Sequence, residues 1–91
     1  MDRANAIGER WLRCRINKGM FSDEAVATYP AQGQVVWSDF VPATSVRGNF
    51  GETGALRVKV VGKMETKFAT VVPTSYSDLI FVNEQDLMDQ P

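Results

Sequence analysis

Apolar and polar positions alternate with a period of two from Leu56 onward. Leu56, Val58 and Val60 fall on one side, and Arg57, Lys59 and Val61 on the other. Gly62-Lys63-Met64-Glu65-Thr66 interrupts the pattern, and Lys67 to Val72 runs extended again. Side chains along a strand point alternately to opposite faces, so this stretch predicts a two-stranded hairpin with one apolar and one charged face. A lone hairpin is marginal in water, and the rest of the chain is expected to cover its apolar face.

A second alternation runs from Trp11 to Ile16, with Leu12, Cys14 and Ile16 inward and Trp11, Arg13 and Arg15 outward. Asn17-Lys18-Gly19 signals a turn and Ser22-Asp23-Glu24 a second one, so the connection through Met20-Phe21 is either a tight hairpin or a longer loop packed by Phe21. Ala25 to Tyr29 reads as a strand whose small residues sit under bulky neighbours, closed by Pro30-Ala31-Gln32-Gly33. Gln34 to Val41 is rich in β-branched and aromatic residues on both faces, which places it centrally in a sheet. Pro42 to Arg47 is long enough only for a 3₁₀ turn. Gly48 to Gly54 is a glycine-rich loop with Phe50 tucked inward, Leu79 to Val82 a short strand, and Asn83 to Met88 a helical turn with Asn83 as its N-cap.

Six short strands with Gly and Pro punctuation and no long helical period predict an all-β fold. In 91 residues one core must carry the stability, and closure into a small antiparallel barrel hides the strand edges. The expected organisation is an N-terminal tail over residues 1–9, one barrel over 10–88 and a C-terminal tail over 89–91.

Apolar residues make up 44% of the chain and charged ones 23%, too apolar for disorder. The net charge of −1 hides a segregation. Arg3, Arg10, Arg13, Arg15 and Lys18 make the start basic, Arg57, Lys59, Lys63 and Lys67 make the central hairpin basic, and the stretches after each are acidic. Cys14 is the only cysteine and histidine is absent, so an internal disulfide is excluded and a cytoplasmic setting is expected. Asp2, Asn5 and Glu9 interrupt the start of the chain, where a secretory leader would be apolar.

The order and spacing of strands across most of the chain resemble the Src-homology-three-like small barrels. Peptide-binding members of that family use an acidic loop and an aromatic-lined groove, and Asp23, Glu24 and Trp37 are the residues here of the right type. The family's doubled tryptophan and ordered tyrosines are missing, so the resemblance concerns the fold and carries no binding residue with it.

Candidate chemistry is sparse. Cys14 lacks an imidazole to activate it, and burial on the inner face would raise its pKa. Asp23-Glu24 and Glu84/Asp86/Asp89 lack calcium-loop spacing. Gly48, Gly51 and Gly54 lead into a strand, whereas a phosphate cradle opens a helix. What stands out is a basic and aromatic set: Trp11, Arg13 and Arg15 on one strand, and Arg57, Lys59 and Lys63 on another. Its structural role would be pairing with Asp78, Glu84 and Asp86, with Trp11 covering the barrel end. Its functional role would be a positive surface with an indole for base stacking.

The expectation is a non-catalytic barrel serving as a protein-interaction or adaptor module, with a protein partner, no membrane, no metal and no small-molecule cofactor. Its signature would be an exposed apolar patch, or an open edge at Leu79 to Val82 that admits a partner strand. The alternative is a nucleic-acid-binding barrel using Trp11, Arg13, Arg15, Arg57, Lys59 and Lys63.

Overall fold

The computed structural model describes residues 8–31, 35–74 and 77–90. Eight strands follow in order: β1 (Gly8–Lys18), β2 (Glu24–Ala31), β3 (Val35–Pro42), β4 (Val46–Arg47), β5 (Glu52–Met64), β6 (Lys67–Val71), β7 (Leu79–Asn83) and β8 (Leu87–Met88). Three-residue 3₁₀ turns, Ala43–Ser45 and Glu84–Asp86, precede β4 and β8. The fold is all-β, with eight strands among the described residues in place of the six expected. β4 and β8 are two residues each, too short to show a period in sequence.

All pairings are antiparallel within one sheet of order β3-β2-β1-β5-β6-β7, with β4 added beside β5 and β8 beside β1. The long strands β1 and β5 form its middle, paired from Gly8 opposite Val60 to Ile16 opposite Glu52. Thus Gly8 and Glu9, expected in the tail, belong to the sheet, and the tail's first seven residues lie outside the described ones. The sheet curls into a half-barrel. β2 and β7 approach each other without strand pairing, so the expected ring is not closed among the described residues.

The concave side holds the core. Leu12, Cys14 and Ile16 of β1, Leu56, Val58 and Val60 of β5, and Phe68, Val72, Ile80 and Val82 are buried together. Ala25 and Ala27 are small and fully buried beside Tyr29, as the pattern of β2 predicts. Each large side chain so buried contributes roughly 1.5–3 kcal/mol. The Tyr29 hydroxyl donates to the Asp39 carboxylate across the β2–β3 pair. Burial and the neighbouring carboxylate both raise the phenol above its ordinary range.

Several expectations are corrected. β3 is an edge strand, not a central one. Its two apolar faces reflect solvent-exposed Val36 and Phe40 on one side and buried Val41 on the other. β5 begins inside the glycine-rich segment, where Gly54 faces Cys14. A Cβ on Gly54 would overlap the carbonyl oxygen of Arg47, so glycine is what lets β4 lie against β5. Phe50 and Phe21 are exposed at loop tips, not tucked inward. The β1–β2 loop is held by backbone bonds instead, from Gly19 to the Glu24 carbonyl at 3.2 Å and from Glu24 to the Phe21 carbonyl at 3.1 Å. Asn83 makes no cap bond, because its amide oxygen accepts from Lys67 Nζ at 2.9 Å. Pro30 and Ala31, expected in a turn, belong to β2 and pair with Val36 and Val35. Gln32 and Gly33 lie outside the described residues, as do Ser75 and Tyr76 of the Pro73–Ser77 turn.

The central hairpin carries one irregularity with consequences. Val60 pairs with Thr70, but Gly62 pairs with Ala69, so Val61 is the extra residue of a β-bulge. A bulge shifts the alternation by one position. Lys63 therefore pairs with buried Phe68 and reaches over its ring, 5.5 Å from the centroid.

Candidate functional site

The outer face of the β1–β5 pair is built from alternate residues. β1 contributes Glu9, Trp11, Arg13 and Arg15, and β5 contributes Thr53, Ala55, Arg57 and Lys59. Register places Trp11 opposite Arg57, Arg13 opposite Ala55, and Glu9 opposite Lys59. The structure thus brings five of the six expected residues, Trp11, Arg13, Arg15, Arg57 and Lys59, onto one surface. Lys63 is excluded from it, because the bulge at Val61 turns it to the concave side.

Arg47 joins the face from β4, where it pairs with Ala55. Its guanidinium lies 5.2 Å from the Trp11 ring centroid, within the range of a cation–π contact. Ala55, opposite Arg13 on one side and Arg47 on the other, is an outward alanine only 1% exposed. Sequence reasoning placed Arg47 in a connection and missed it. The single signal available was the apolar–cationic pair Val46-Arg47, which repeats the step of Leu56-Arg57. Small floor residues leave a groove of about 560 Å³ between Arg13 and Arg47, with Gly54 and Ala55 at its base and Met88 at one wall.

The expected pairing of these cations with Asp78, Glu84 and Asp86 is not what the structure shows. Among the described residues the one ion pair is Arg10 with Asp89, 2.9 Å from Nε to Oδ1. Arg10 is in phase with Leu12 and points inward, and its buried Nε–H is not aimed at a hydrogen-bond acceptor. Asp89 is exposed, so the pair contributes little. Asp78 instead accepts a hydrogen bond from Thr74 Oγ1 at 3.1 Å. Trp11 does not cover a barrel end. It sits mid-sheet, half-buried, with Arg47 against its ring.

A second surface follows the β3 edge. Val36 is 65% exposed, Phe40 51% and Trp37 41%, and one long side of this eight-residue strand has no pairing partner among the described residues. Near its end a hollow of about 310 Å³ is bounded by Asp23, Glu24, Phe40, Pro42 and Pro73. The edge at β7, expected from sequence, likewise has no pairing partner among the described residues, and Leu79 is exposed.

Cys14 is buried on the concave side, and burial pushes its thiol up to about 11, the reverse of an activated nucleophile. Among the described residues no three metal-ligating side chains cluster, and no helix is long and apolar enough to cross a membrane. No family model, curated protein or solved structure matches this chain.

Proposed function

We propose that this chain is a non-catalytic adaptor module that binds an extended segment of a partner protein along the free edge of β3, in the cytoplasm. The observation that carries the reading is the edge itself. Sheet proteins ordinarily blunt a long edge with charges, bulges or proline. In β3 the one charged side chain, Asp39, accepts from Tyr29, and Pro42 stands only at its end. Exposed Val36, Trp37 and Phe40 flank a row of backbone groups that has no strand partner among the described residues, the arrangement strand addition uses. The fitting partner is an extended segment with apolar residues at alternate positions, and a basic residue to meet Asp23 and Glu24 in the adjoining hollow.

Selection of random 12-residue peptides against the folded protein tests this. Selected peptides should protect β3 amides from hydrogen exchange and lose at least tenfold in affinity for a Val36→Lys/Phe40→Lys variant. Peptides that bind the variant equally, or protect other strands, refute the reading.

A further inference from the structure

The outward positions of β1, β4 and β5 hold Arg13, Arg15, Arg47, Arg57 and Lys59 against a single carboxylate, Glu9. The chain as a whole has one more acid than base, so its charge is separated in space. Like charges on neighbouring strand positions repel each other, and among the described residues none of these five cations has an ion-pair partner. The cations also form a line. Successive outward residues of a strand lie about 6.8 Å apart, so the stripe from Arg15 to Lys59 runs about 20 Å along the β1–β5 pair.

We propose that this face binds the phosphate backbone of single-stranded nucleic acid without regard to base sequence. A stripe of cations answers a linear polyanion. Four of the five are arginines, whose planar forks match phosphate oxygens better than a lysine point charge does. The groove between Arg13 and Arg47, floored by Gly54 and Ala55, lets a phosphate and its sugar approach the sheet. Arg47 already lies against the Trp11 ring, so the indole orients a phosphate-binding guanidinium and is not a platform for bases. The face lies mid-sheet, where backbone groups are paired between strands. An acidic peptide would find no free edge there, while a phosphate backbone asks for none. The outer side of a half-barrel is convex, and a flexible single strand follows it where a stiff duplex touches at few points. This face is separate from the β3 edge, and the two proposals stand or fall independently.

The test is fluorescence anisotropy of a labelled thymidine 15-mer titrated with the intact protein at 50 to 200 mM salt. Four to five phosphate contacts give a slope of about −3 in log affinity against log salt, or about 60-fold weakening over that range. Arg13→Glu/Arg15→Glu, both at exposed positions, should lower affinity at least 30-fold at 100 mM salt while the circular dichroism spectrum stays unchanged. Lys63→Glu makes the same kind of charge change on the other side of the sheet and should stay within about threefold, since the Debye length there is about 10 Å. The proposal is overturned by no binding at 50 mM, by a slope flatter than −1, or by equal loss in Lys63→Glu. Competition by polyglutamate at equal charge, or tighter binding of a duplex of the same length, also overturns it.

Discussion

Arg47 and Trp11 meet across a strand that separates them: the guanidinium of one, on β4, lies 5.2 Å from the ring centroid of the other, on β1, with β5 between. The contact fixes a flexible cation above a sheet. A partly exposed cation–π pair contributes about 0.5–1 kcal/mol. Arg47→Ala should therefore lower unfolding stability by that amount and shift Trp11 emission to longer wavelength in a Trp37→Phe background. An unchanged emission spectrum would show that the pair does not form in solution.

The assignment of faces on β5 is tested by adjacent residues. Val58 is buried and Lys59 exposed. Val58→Asp places an unpaired charge in the core and should abolish cooperative unfolding. Lys59→Asp should stay within about 0.5 kcal/mol of the wild type in urea denaturation. Equal melting of the two variants would contradict the register of β1 on β5.

Alkaline pH should loosen the fold through Cys14. Its thiol moves from an ordinary 9.0 to about 11 on burial. The folded protein therefore keeps a proton that the unfolded chain has lost. The stabilisation is complete below pH 9 and falls as pH rises towards 11, by about 2–3 kcal/mol in all. Tyr29, raised by burial and by Asp39, acts in the same direction above its ordinary value of 10.0. The urea midpoint of the wild type should fall between pH 8.5 and 10, and that of Cys14→Ala should fall less. The same burial should keep the native thiol unreactive to disulfide reagents at pH 8. Parallel pH profiles for the two proteins would contradict it.

Gly54 is a close-packing position. A methyl group there meets the Arg47 carbonyl and the tip of Ile16, so β4 must move. Gly54→Ala should cost about 1–3 kcal/mol and, by displacing Arg47, reproduce the emission shift of Arg47→Ala. Gly62→Ala, where a Cβ meets open space, is the control and should leave both readouts unchanged.

Much of this architecture is legible in the alternation of single strands. Leu12, Cys14 and Ile16 and then Leu56, Val58 and Val60 declare their inward face, because burial on one side of a pleat imposes a period of two. Alternation says nothing about where a strand lies in the sheet. β3 shows two apolar faces because it is an exposed edge, and the same pattern would suit a buried centre.

The chain's own pattern determined the all-β class, the inward residues of β1 and β5, and the basic residues that face away from them. Only the tertiary structure decided which of those cations share a surface. The bulge at Val61 removes Lys63 from the set, and the pairing of two-residue β4 with β5 adds Arg47. Both depend on partners distant in sequence: a bulge exists only relative to the strand opposite, and a two-residue strand only relative to the neighbour that pairs with it.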